Sequence, residues 1–166
     1  MDEILIVPDP VKMAEFTKWI DKNKKNGVEL FQYNRPVRSV AEAVEVSGFK
    51  KSQFIKSICM KHRSEGNFVI AIILSGSRVD KKSLQEGVAP KRWIMATPEE
   101  ILDLIGFPAG GVPPVCLPHD LTVYVDPRVL TREFVIGGGG SQSSLIKLPP
   151  NFIIDSGAIN RIISIG

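Results

Sequence analysis

The chain has 166 residues, 43% of them hydrophobic and 23% charged, with a formal net charge of +3 at pH 7. That balance suits one globular domain with a real core and excludes a disordered or fibrous protein. The longest purely apolar run, Phe68–Leu74, is far too short to span a bilayer, and the Met-Asp-Glu start lacks the basic and apolar stretches of a secretory leader.

In chain order, Val11, Met13, Phe16, Trp19 and Ile20 recur among lysines and acids, which predicts an amphipathic helix over residues 11 to 25, ended by Gly27. Val28 to Tyr33 reads as a short strand. Ser39, with Glu42 in capping-box position, opens a helix through Val46 that Gly48 stops. Phe54–Met60 and Phe68–Leu74 are dense in Ile, Val and Phe and joined by the polar turn His62–Asn67. Their near-continuous apolarity implies burial on both faces, hence mid-sheet positions. Asp80–Glu86 is expected as a short helix and Arg92–Met95 as a short strand. Thr97-Pro98-Glu99-Glu100 combines an N-cap, a proline at the first helical position and carboxylates at the positive end of the dipole, so a helix should run to Ile105 and stop at Gly106. Leu121–Val125, Phe134–Ile136, Ser144–Leu148 and Ile159–Ile165 read as strands, Asn151–Ser156 as a helical turn, and Gly137–Gly140 as a mobile connection. Strands and helices interleave, yet several strands are joined by short turns. The expectation is a mixed α/β fold: a single compact domain over residues 1–166, with a mixed, mostly antiparallel central sheet and flanking helices.

The familiar catalytic patterns are missing. The two histidines, His62 and His119, are not part of any HExxH spacing, and no CxxC occurs, so neither a metal nor another cofactor is expected. No serine sits in a GxSxG elbow; the nearest stretch is Gly139-Gly140-Ser141-Gln142-Ser143. The glycine run leads into a strand, whereas a phosphate cradle needs a helix N-terminus. Cys59 and Cys116, the two cysteines, lie in apolar surroundings and form no disulfide framework, which points to a reducing cytoplasm.

Positive charge is distributed unevenly. No carboxylate lies between Glu45 and Glu65, a stretch that holds Lys50, Lys51, Lys56, Lys61 and Arg63, and the acid-free stretch Gly87–Pro98 holds Lys91 and Arg92. Such clusters attract a polyanion if they converge on one face, and otherwise form an ordinary solvated surface.

Lys56 lies inside Phe54-Ile55-Lys56-Ser57-Ile58-Cys59-Met60, and alternation puts it in phase with Ile58 and Met60. It either snorkels at a strand end or points into a cavity that needs a cation; both readings stay open at this level. In Gly106-Phe107-Pro108-Ala109-Gly110-Gly111-Val112-Pro113-Pro114, the prolines hold Val112 to Pro114 extended, and Gly110 and Gly111 can take positive φ and admit a ligand to bare backbone. Taken alone, the segment reads as a rigid structural turn.

The order of these features carries more than any one of them. A strand with Lys56-Ser57, a Thr-Pro-Glu-Glu helix, the GGVPP loop, a Val-Asp strand and a glycine run before a Leu-containing strand resemble the YbaK-like family, the relatives of the prolyl-tRNA synthetase editing domain, over roughly residues 36 to 165. The resemblance implies a compact mixed α/β domain whose pocket receives the aminoacyl-adenosine end of tRNA. It implies a trans-acting aminoacyl-tRNA deacylase that removes a small amino acid, or alternatively a non-catalytic module that holds tRNA or a synthetase. It casts Lys56, Gly110 and Pro114 as catalytic, and Ser57, Gly111, Val112, Pro113, Gly138 and Gly139 as substrate-binding. Expected partners are tRNA and an aminoacyl-tRNA synthetase, with no membrane. The protein would orient the ester and present backbone donors to the oxyanion, while water and the terminal 2′-hydroxyl do much of the chemistry. Departures occur where relatives often carry a glycine after the paired prolines, here Val115-Cys116-Leu117, and in Ile105 and Ser57, where threonine is frequent.

Overall fold

The computed structural model describes residues 7–64, 66–81, 84 and 92–154, and the backbone of 159–162. Helix α1 spans Pro10–Asn23; Asp9 caps it by accepting from the amides of Val11 and Lys12 at 2.9 and 3.1 Å. After a 3-10 turn, Gly27 at φ 90° leads into β1, Glu29–Gln32. Helix α2, Val40–Ser47, has the capping box in both directions and ends at Gly48. Strands β2 (Ile55–His62), β3 (Phe68–Leu74) and β4 (Trp93–Met95) follow. Helix α3 (Pro98–Ile105) starts at the Thr97 capping box and closes on Gly106. The remaining elements are β5 (Thr122–Val125), β6 (Val135–Gly138), β7 (Ser144–Leu148), the single turn α4 (Asn151–Ile154) and β8 (Ile159–Ile162). The helix expected over Asp80–Glu86 lies largely outside the described residues, as do Lys91 and the ends expected at Ser156 and Ile165.

The fold is mixed α/β, with mostly antiparallel pairing. Its strands divide between two sheets. One has the order β4-β2-β3-β5-β8, with β2 antiparallel to β3 and β4, and β5 parallel to both β3 and β8. The other is the antiparallel β1-β7-β6. A parallel bridge between Phe54 and Ile136 ties the two together.

Strand β3 is buried on both sides, as its composition predicts. Ile70 and Ile72 join the main core with Phe16, Ile105, Phe107 and Val123, while Val69, Ala71 and Ile73 join a second cluster with Met60, Trp93 and Tyr124. Helix α1 belongs to the main core: Phe16 is fully buried and meets Phe107 edge-on at 5.6 Å, and Ile20 is buried beside it. Among the described residues, no helix is long and apolar enough to cross a membrane.

The glycine run departs from its expected role as a mobile connection. Gly137 and Gly138 are the end of β6, paired with Ile146 and Leu145, and Gly139 donates to Ser144 O at 3.0 Å. Close packing explains the absence of side chains. A Cβ at Gly139 would lie 2.6 Å from the backbone carbon of Ser144, and one at Gly140 would lie 3.1 Å from the Phe16 ring. Glycine serves here for close approach, and at Gly140, with φ 92°, for a left-handed backbone as well.

The α2 cap supplies a first prediction. Ser39 Oγ accepts from the Glu42 amide at 3.1 Å, and Glu42 Oε1 accepts in turn from Ser39 N at 3.2 Å. Ser39→Ala is expected to lower stability by about 1 kcal/mol, the usual value of such a cap, read as a shift in the urea midpoint at unchanged slope.

Candidate functional site

Strands β2 and β6 leave the Phe54–Ile136 bridge side by side, and the next residues of each, 55–58 and 137–138, line a pocket of about 230 Å³. The loop after α3 contributes Gly110 and Val112, and the start of α2 contributes Arg38, Ser39, Val40 and Ala43. With Leu145 of β7, five separate segments therefore converge. A wider groove of about 900 Å³ runs along α1, but its lining comes only from residues between 7 and 21 and it lacks such convergence.

Lys56 pairs with Ile73 across the sheet, and its half-buried ammonium donates to the Ser77 carbonyl at 3.0 Å. That carbonyl sits in a tight turn: Ser77 N donates to Leu74 O at 3.0 Å, and Ser75 N to Phe54 O at 2.9 Å. An ammonium has three N–H groups, so the bond to Ser77 leaves two for a ligand. Arg38 supplies a second cation at the rim. Among the described residues, neither His, Cys, Asp nor Glu lines the pocket.

The loop over Gly110–Pro114 is held by interlocking backbones. Gly110 has φ 83°, a left-handed conformation that costs other residues roughly 1–2 kcal/mol. A Cβ on Gly110 would stand 3.0 Å from Arg38 Cβ. Gly111 donates to Pro108 O at 2.9 Å and accepts from Gly140 N at 2.8 Å, and its missing Cβ makes room for the Ser141 carbonyl, 2.6 Å from where that atom would stand. Its polar groups are engaged within the protein instead of facing a ligand. Gly138 lies against the Val112 carbonyl and the Gly111 carbonyl carbon, and Pro114 packs its ring on Gly137. The amides of Gly110 and Val112, both in lining residues, have no acceptor among the described residues.

Of the positions singled out from sequence, Lys56, Ser57, Gly110, Val112 and Gly138 line this one pocket. Gly111, Pro113, Pro114 and Gly139 are buried behind it and shape the lip from the rear. Sequence reasoning missed Arg38 and the apolar wall of Val37, Val40, Ala43, Phe54, Ile58 and Leu145. The signal available for Arg38 was a cation placed next to a helix N-cap, which by itself does not distinguish a site from a surface.

Two side-chain pairings narrow the basic surface. Lys61 forms an ion pair with Glu100 on α3, and this hydrogen bond holds the Glu100 carboxyl below its usual range. Arg128 is paired with the buried Asp126 at 3.0 Å. The thiols are poor nucleophiles: burial pushes both Cys59 and Cys116 up to about 11, so each stays protonated at neutral pH.

The model of the aminoacyl-tRNA editing domain matches residues 34–155, a range that contains every lining residue of the pocket. The uncharacterized protein YwhH of Bacillus subtilis is 34% identical over 138 residues, spanning 82% of this chain and 83% of YwhH. The proline–tRNA ligase of Trichlorobacter lovleyi is 32% identical over 101 residues, which are 60% of this chain but 17% of the ligase. The crystal structure of hypothetical protein APE2540 superposes with a TM-score of 0.74 at 29% identity, covering 92% of this chain and 98% of that one. With a family model spanning most of its length and a relative at 34% identity matched over 83% of that relative's length, the chain belongs to the aminoacyl-tRNA editing domain family.

Proposed function

We propose that the chain hydrolyses, in trans and in the cytoplasm, the ester of a tRNA charged with the wrong, small amino acid. The observation that carries this reading is the gathering of Lys56, Ser57, Gly110, Val112 and Gly138 around one small pocket in a member of the editing family. The aminoacyl group enters between the apolar residues of α2 and β2, and the terminal ribose lies at the rim. A water oxygen adds to the ester carbonyl carbon, the bond to the ribose oxygen breaks, and that oxygen leaves as a hydroxyl carrying the proton the water gives up. The adjacent 2′-hydroxyl is well placed chemically to relay that proton. The protein contributes positioning and charge: the Lys56 ammonium and the amides of Gly110 and Val112 stabilise the oxyanion as it forms.

The pocket's size favours alanyl, seryl, threonyl or cysteinyl groups over aromatic ones. Purified protein should deacylate at least one of these tRNAs in single-turnover assays while leaving phenylalanyl-tRNA intact. Turnover should also survive EDTA, because the described lining residues offer two cations and no His, Cys, Asp or Glu to hold a metal. Preference for the phenylalanyl ester, or activity lost to EDTA and restored by zinc, contradicts the reading. Binding of tRNA with no hydrolysis across the panel identifies the non-catalytic module instead.

A further inference from the structure

A second cleft, of about 310 Å³, adjoins the pocket and is lined by Lys51, Ser52, Leu74, the turn Ser75-Gly76-Ser77 and Arg132. The two share the contact that holds Lys56, since Lys56 lines the pocket and its ammonium bonds to Ser77 O, on the wall of the cleft. The cleft is built rather than incidental. Arg132 Nε donates to Ser52 O at 3.1 Å and one terminal nitrogen approaches Thr131 Oγ1 at 3.4 Å, which fixes the guanidinium. Ser75 Oγ donates to Lys51 O at 3.1 Å, and Arg128 donates to Ser77 Oγ at 3.2 Å, leaving the Ser77 hydroxyl proton available.

Charge is not balanced there. Arg128 is answered by Asp126 and Lys61 by Glu100, but no carboxylate lines the cleft and neither Lys51 nor Arg132 has an acidic partner among the described residues. Glu133, next to Arg132 in the chain, is exposed and not part of the lining. A fixed Arg132 guanidinium, the exposed Lys51 ammonium and the free Ser77 hydroxyl proton together suit a phosphate group.

We infer that this cleft holds a backbone phosphate of the RNA strand whose 3′ end enters the neighbouring pocket, an assignment that rests on the deacylase reading. The cleft sets the strand's approach, and Lys56 stands at the junction of the two sites. Base identity plays no part, because phosphate contacts position without reading sequence.

The test measures binding of an uncharged single-stranded RNA oligonucleotide across a salt series, so it does not depend on hydrolysis. Three proteins are compared: wild type, the Lys51→Gln/Arg132→Gln variant, and a Lys18→Gln/Lys22→Gln variant that removes equal charge from the exposed face of α1. Thermal melting establishes that each is folded. The cleft variant should bind roughly tenfold more weakly and lose about 0.7 from the slope of log affinity against log salt, the value for one phosphate on a single strand. The α1 variant should keep the wild-type slope. Unchanged binding in the cleft variant, an equal loss in the α1 variant, or displacement of RNA by equimolar inorganic phosphate would overturn the assignment. Absence of deacylation with the slope change intact would count against the deacylase reading alone.

Discussion

Lys56→Ala is expected to lower single-turnover deacylation by roughly 10²- to 10³-fold, the usual effect of removing one donor that meets a developing oxyanion. The ammonium is the one charged group that β2 places in the pocket, and it stands on a central strand paired with Ile73. Its bond to Ser77 O holds it against a fixed turn, so little reorganisation accompanies the reaction. Losing that bond costs only about 1 kcal/mol of stability, and the variant should fold and give an unchanged circular dichroism spectrum. Lys56→Met separates charge from packing, since it keeps an apolar stem of similar reach. Both variants should fail alike, whereas Lys56→Arg should recover little, because a planar fork does not reproduce a point donor in a small recess. Full activity in the methionine variant would remove the ammonium from the mechanism.

Gly138→Val should damage the protein more broadly. The first atom of any side chain at this position meets the Val112 carbonyl and lies 2.9 Å from the Gly111 carbonyl carbon. Both are backbone atoms in a loop whose next residues are prolines, so neither can step aside as a flexible side chain would. We expect a loss of about 3 kcal/mol or more, at the upper end for overpacking, together with the loss of deacylation as the lip is pushed away from β6. Gly76→Ala is the internal control: a Cβ there meets nothing within 4 Å, and the effect should stay within about 0.5 kcal/mol. Equal thermal midpoints for the two variants would refute the close packing of β6 on the loop.

Local signals were legible wherever the physics is local. The Ser39 capping box, the Thr97 N-cap, the stops at Gly48 and Gly106, and the two-sided burial of β3 all appear where composition and spacing put them. Each depends on contacts within a few residues or on a periodicity of side chains along one element. Helix α1 was visible by the same rule, although it precedes the range matched by the editing-domain model; its part in the core, with Phe16 against Phe107 and Gly140, was not.

The run Gly137–Gly140 marks the boundary of that rule. Glycine in sequence admits two opposite readings, freedom or close approach, and only the neighbours in space decide between them. Here β6 lies against the Gly111–Val112 backbone and Ser144, so the segment read as mobile is ordered strand and tight packing. The basic stretch divides for the same reason. Lys61 is paired by Glu100, a residue 39 positions away, whereas Lys51 is joined by Arg132 across the Ser75–Ser77 turn.

By itself, the sequence determined the element types, the mixed α/β class, the editing-family resemblance and the candidacy of Lys56 and the Gly110–Pro114 loop. The division into two sheets, the pocket between β2 and β6, and the presence of Arg38 at its rim were decided by tertiary structure. Strand pairing across long loops, and the meeting of α2 with a loop some 70 residues further on, depend on which surfaces bury each other, a property of the whole chain rather than of any window along it.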